Sequence, residues 1–176
     1  MKRIILIGYM GAGKTTIGRA LAQELGLMFY DLDWYIENRH HKAVAQIFTD
    51  EGEENFRRIE RNMLHEVAEF EDVVISCGGG TPCFFDNIDY MNRQGQVVYL
   101  KATPDVLFRH LHMSQNDRPL LRGKTDDELL TFIGEQLNRR APYYEKARYH
   151  FDINLLDNHK KIQSTISKLI ETLSCT

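Results

Sequence analysis

Gly8-Tyr9-Met10-Gly11-Ala12-Gly13-Lys14-Thr15 has the spacing G-x-x-x-x-G-K-T/S directly behind the apolar run Ile4-Ile5-Leu6-Ile7. With a strand before it and a helix after it, such a loop is a cradle for phosphate. Its glycines let the backbone wrap closely around an anion, so that successive amide N–H groups and the positive end of the following helix face it. The Lys14 ammonium can then bridge the outer phosphates. The Thr15 hydroxyl stands where it can ligate the Mg2+ that accompanies them. The pattern points to a bound nucleotide.

Further polar groups follow other apolar runs. Asp31-Leu32-Asp33 closes the second of them. On a strand these two carboxylates point to one side, which suits one to the water shell of Mg2+ and the other to a substrate hydroxyl. Either Asp can equally cap the helix that follows. Phe56-Arg57-Arg58-Ile59-Glu60 lies in a charged helical stretch, where Arg and Glu three apart usually form a solvated pair. After the third run stands Ser76-Cys77-Gly78-Gly79-Gly80-Thr81-Pro82. Three consecutive glycines either make a flexible turn or leave bare amides for a small polar ligand. Arg118-Pro119-Leu120-Leu121-Arg122-Gly123-Lys124 reads as a solvated loop or a cationic lid that excludes water. Arg139-Arg140-Ala141-Pro142-Tyr143-Tyr144-Glu145 puts guanidiniums on a helix, where they could grip a carboxylate.

The elements that must position these groups alternate along the chain. Strand patterns cover 4–7, 28–32, 73–76, 97–100 and 149–153, and helical patterns cover 14–25, 53–70, 104–112, 126–146 and 159–173. This β-α alternation predicts a parallel sheet with helices on both faces and ligands at the carboxyl ends of the strands. The 176 residues, 43% apolar and 27% charged, suffice for one globular domain. With 22 basic against 25 acidic residues, net charge gives no argument for nucleic acid or membrane. No apolar stretch has the length of a membrane span or a signal-peptide core, so the cytoplasm is expected. Cys77, Cys83 and Cys175 are too few and too irregular for a disulfide framework or a zinc site, and they read as free thiols. His40-His41 and His110-x-His112 read as solvent-facing helix residues.

Taken together, Gly-x-Met-Gly-Ala-Gly-Lys-Thr-Thr-Ile-Gly-Arg, Asp31-x-Asp33, Gly52-Glu53-x-x-Phe56-Arg57-x-x-Glu60, Gly78-Gly79-Gly80, Arg118-Pro119-Leu120-Leu121 and Arg140-x-Pro142 resemble the shikimate kinase family in its chain order, from about residue 2 to 170. The resemblance implies an α/β fold of the P-loop NTPase type, three layers α/β/α around a central five-stranded parallel sheet. It implies one kinase domain over 1–176, with a small helical substrate-binding segment at about 32–62 and a lid at about 112–125. The family's reaction converts ATP and shikimate to 3-phosphoshikimate and ADP, with Mg2+ as cofactor.

Carried over by position, Gly11, Ala12, Gly13, Lys14, Thr15 and Thr16 would hold phosphates, and Thr15 and Asp31 would serve the metal. Asp33 would orient the accepting hydroxyl and stand as possible proton acceptor, because a loose phosphoryl-transfer transition state demands positioning above all. Arg57 and Arg140 would clamp the acceptor's carboxylate, with the Gly79 N–H near a hydroxyl. Arg118 would reach the phosphates from the lid, and Arg109 would stack on adenine. The segment after Pro142 is one residue shorter than the family's usual pattern, so Arg139 competes with Arg140 for the clamp. A kinase of another small acid or polyol such as gluconate, and a non-catalytic ATP-binding module, are the competing readings. Nothing resembles a heptad seam, so a monomer is expected.

Overall fold

A run such as Ile4 to Ile7, with no polar alternation, belongs where both faces of a strand are covered. In the computed structural model, which describes residues 2–113 and 125–174, it forms β1 (Arg3–Ile7), the middle strand of the sheet. Around it lie β2 (Met28–Asp31), β3 (Val73–Ser76), β4 (Gln96–Lys101) and β5 (Tyr149–Asp152), in the order β2-β3-β1-β4-β5. Every pairing is parallel, and Ile5 stands level with Ile75 on one side and Val97 on the other. The expected five-stranded parallel sheet is therefore present.

The connections are the helices α1 (Lys14–Leu25), α2 (Leu32–His40), α3 (Val44–Ala68), α4 (Asn87–Gln94), α5 (Pro104–Met113), α6 (Asp126–Tyr144) and α7 (His159–Ser174). The helix α1 packs against α7, and α5 against α6. Ile4 to Ile7, Val73 to Ile75 and Val97 to Leu100 are buried together with Ile17, Leu21, Leu107, Ile133, Ile166 and Leu169. Each such side chain contributes about 1.5–3 kcal/mol by leaving water. No helix of the described residues is long and apolar enough to cross a membrane.

Four elements, β2, α3, α2 and α4, differ from the sequence reading. The second strand stops at Asp31, whose carboxylate accepts N–H bonds from Asp33 and Trp34 and so caps α2. The helix expected from residue 53 starts at Val44 and passes through a break at Gly52, whose φ of 79° and ψ of 167° are outside helical space. Helix α4 escaped the sequence reading, and α2 was expected only through the resemblance, within the helical segment at about 32–62. Only Leu32 and Ile36 of α2 are buried, too little apolar patterning to announce a helix.

At Gly18, in the middle of α1, glycine costs about 1 kcal/mol of helix propensity. The reason for it is contact. An added Cβ there would lie 2.6 Å from Phe29 Cε2 and 3.2 Å from Leu6 Cδ1, so only a residue without a side chain lets α1 settle on β1 and β2. Gly18→Val is expected to destabilise the fold by about 1–3 kcal/mol through overpacking, read as a lower urea midpoint at unchanged slope.

Candidate active site

The loop between β1 and α1 turns at Gly11 and Gly13, whose φ values of 85° and 84° belong to the left-handed region. Side chains other than glycine are strained there. Gly13 is the N-cap of α1 and provides no side-chain cap. Gly11, Gly13, Lys14, Thr15 and Thr16 line a cleft of about 600 Å3 at the carboxyl ends of the strands, while the Ala12 side chain is buried in the core and leaves only its backbone for a ligand. Lys14 Nζ donates to Gly8 O at 2.9 Å and to Tyr9 O at 3.1 Å, so its ammonium lies along the loop. Thr15 Oγ1 donates to Asp31 Oδ2 at 2.9 Å and joins the start of α1 to the end of β2. These hydroxyl and carboxylate oxygens are hard donors. Two of them suit Mg2+, which keeps most of its remaining positions for water and phosphate.

The other wall is built on Gly78 and Gly79, with Gly80 next to them in the chain. A Cβ at Gly78 would stand 3.2 Å from Asp33 Oδ1, one at Gly79 3.1 Å from Arg140 Nη1, and one at Gly80 2.7 Å from Arg57 Nη2. Each glycine thus makes room for one charged group. Asp33, in the first turn of α2, has its carboxyl pushed up to about 6 by burial above all, with Asp31 and Glu60 adding to the shift and Lys14 opposing it. A carboxyl shifted in this way within a cleft is a candidate for chemistry.

Arg57 reaches this floor from α3. Its Nη1 lies 2.8 Å from Glu60 Oε2, and Glu60, only 1% exposed, also accepts a 2.6 Å bond from Thr81 Oγ1. The pair expected to be solvated is instead buried, because α3 turns this face onto the glycine floor. The guanidinium also lies 4.0 Å over the Phe84 ring, and its buried Nε has no hydrogen-bond partner among the described residues. Arg140 approaches from α6, with its guanidinium 5.3 Å from the Tyr9 ring centre. One turn later Tyr144 donates its hydroxyl to Gly79 O at 2.6 Å, and burial keeps that phenol protonated, with its pKa raised well above the ordinary value. Arg139 points to solvent.

Not every expected residue meets the cleft. Arg109 is exposed, and the neighbouring His110 lines the cavity in its place. The expectation that His110 faces solvent was incorrect: it is 9% exposed, since Leu107, His110 and Leu111 together form the buried stripe of α5. That spacing is visible in the sequence and could have revealed it. Arg118 and nearly all of the lid segment lie outside the described residues. Glu60, Thr81 and Tyr144 were not recognised as supports. Tyr144 had a signal, because it follows Arg140 by four residues and so shares its helical face. Trp34, half exposed beside Asp33, also lines the cleft, with Arg19 4.5 Å over its ring.

The shifted carboxyl has a consequence for stability. Its folded value of about 6 exceeds the ordinary 3.8, so the folded state holds the proton more tightly and ionisation opposes folding. This penalty is absent below about pH 4 and fully developed above about pH 6, where it reaches roughly 3 kcal/mol. Asp33→Asn is therefore expected to raise the urea midpoint at pH 8 and to leave it unchanged at pH 3.5; an equal effect at both pH values would contradict the assignment.

Comparison with known proteins agrees with this geometry. The family model described as shikimate kinase matches residues 10–174. A shikimate kinase of Bacteroides thetaiotaomicron is 56% identical over 173 residues, covering 98% of this chain and 99% of its own. A 1.7 Å crystal structure of shikimate kinase from the same organism superimposes with a TM-score of 0.96, at 55% identity and 98% coverage of both chains. Shikimate kinase from Acinetobacter baumannii, solved in complex with shikimate, gives a TM-score of 0.84 at 33% identity, covering 100% of this chain and 95% of its own. With the glycine loop and the glycine floor in one cleft, two arginines packed against that floor though not among the residues lining the cleft, and these relatives along nearly its whole length, the chain belongs to the shikimate kinase family.

Proposed function

We propose that the cleft transfers the γ-phosphoryl group of ATP to the 3-hydroxyl of shikimate, giving 3-phosphoshikimate and ADP. The observation that carries this reading is the glycine floor, where one carboxylate and two guanidiniums lie on consecutive residues beside the phosphate loop. Two cations at that spacing fit the carboxylate of a small hydroxylated ring, and Asp33 fits its accepting hydroxyl. A nucleotide-binding module without acceptor chemistry has no use for them.

The roles follow from charge. The amides from Gly11 to Thr16 and the Lys14 ammonium hold the phosphates, with Lys14 exchanging its carbonyl partners for phosphate oxygens. Thr15 directly and Asp31 through water would hold Mg2+, which when bound would supply positive charge to offset that of the transferring group. Arg57 and Arg140 fix the acceptor's carboxylate, and Glu60 and Thr81 hold Arg57 in place. The Arg57 Nε, buried and without a partner among the described residues, is a donor in reserve for that carboxylate. The acceptor oxygen attacks the γ-phosphorus as the bond to the ADP oxygen breaks, and its proton passes to Asp33. A carboxyl with a pKa of about 6 is mostly ionised at neutral pH and so can receive it. Arg118, outside the described residues, takes from the resemblance the role of reaching the phosphates, and α2 with α3 forms the acceptor-binding segment at about 32–62. The protein acts as a monomer in the cytoplasm, with neither nucleic acid nor membrane as partner.

Release of ADP from Mg-ATP on addition of shikimate, lost on chelation of the metal, tests the reading; equal turnover with gluconate would overturn the choice of acceptor. Arg140→Ala is expected to raise KM for shikimate by about 10- to 100-fold while KM for ATP stays within about twofold, the size of a lost charge-assisted pair. Arg139→Ala is expected to change neither, and Asp33→Asn to lower kcat by about 100-fold or more.

A further inference from the structure

His110 does more than fill the buried stripe of α5. Its Nδ1 lies 2.6 Å from Gly11 O in the phosphate loop, and its Nε2 lies 2.8 Å from the backbone N of Leu156, in the segment that follows β5. A carbonyl can only accept and an amide N–H can only donate. The ring is therefore neutral, with its hydrogen on Nδ1 and a lone pair on Nε2. Leu156 returns to the same loop by packing, since a Cβ at Gly13 would stand 2.6 Å from Leu156 Cδ1. One imidazole thus ties together three stretches that are 99 and 46 residues apart in sequence.

The place of this clip in the cleft suggests its use. Lys14 and Thr15 take the phosphates, and the glycine floor with its arginines takes the acceptor. α5 and the segment after β5 add His110, Met113 and Leu156 to the lining, two of them apolar, which fits the base end of a nucleotide.

We propose that His110 is a positioning residue for the nucleotide: it fixes the Gly11 carbonyl and the Leu156 amide so that the phosphate loop and the segment after β5 present one preformed surface to ATP. It touches no reacting atom. The inference rests on the kinase reading above, and it separates from a purely structural role by its selectivity. A clip at the base end changes nucleotide affinity and leaves acceptor affinity and the chemical step alone.

The test compares His110→Leu, which keeps the apolar bulk and loses both bonds, with His110→Gln, whose amide can still donate to Gly11 O and accept from Leu156. At saturating shikimate, His110→Leu is expected to raise KM for ATP by about fivefold, the effect of one typical net hydrogen bond, with kcat and KM for shikimate within about twofold. His110→Gln is expected to recover most of that loss. Should His110→Leu not fold, His110→Asn decides: its shorter amide keeps the Gly11 bond and forfeits Leu156, and KM for ATP rises. A folded His110→Leu or His110→Asn with unchanged KM for ATP, or a loss shared equally by ATP and shikimate, would overturn the proposal. ADP binding by calorimetry reads the same clip without turnover. A wild-type protein that binds ADP but shows no shikimate-dependent turnover defeats the kinase reading, whereas an active wild type with indifferent variants defeats the clip alone.

Discussion

Parallel pairing of β1 with β3 is the constraint on which the site depends. Leu6 lies level with Ser76, so the two strands end side by side. The chain leaves both ends through glycines: the phosphate loop after β1 and the floor after β3. Two stretches of backbone that bring almost no side chains of their own thereby meet in one cleft, and charged groups from elsewhere can lie against them. A parallel sheet places such ends together because each crossover returns the chain to the same edge. The apolar residues of β1, β3 and β4 hold that register, and the register holds the site.

Electrostatics set the second level of order. Asp31, Asp33 and Glu60 stand near one another, and Lys14, Arg57 and Arg140 stand among them. The acids are kept apart in function by their partners. Asp31 takes the Thr15 hydroxyl and the amides of α2, and Glu60 takes Arg57 and Thr81. Asp33 is left with burial and like charge, and its proton affinity rises accordingly. In the proton-accepting role proposed above, a carboxyl that opposes folding would be the usual form of compromise between stability and activity.

Much of this was readable from residue types. The strand-loop-helix at the start of the chain, the sheet and the glycine floor follow from patterns with strong local causes, namely an apolar run, a fixed glycine spacing and a Lys-Thr pair. What escaped the sequence was decided by tertiary contact. Arg57 and Glu60 have the spacing of an ordinary surface pair, and only the approach of α3 to Gly80 buries them. Arg109 and His110 are neighbours, and a small difference in helix phase decides which of them faces the cleft. For Arg139 and Arg140 the sequence left two candidates, and packing of α6 brings Arg140 against Gly79. Short helices such as α2 and α4 bury two apolar side chains each, so periodicity was silent about them.

Trp34 is the chain's single tryptophan, and it is held in the cleft wall next to Asp33 with a guanidinium against its ring. The protein therefore carries a built-in fluorophore where its ligands arrive, undiluted by emission from any second indole. Occupancy of the cleft can be followed optically in the unlabelled chain, at the speed of mixing.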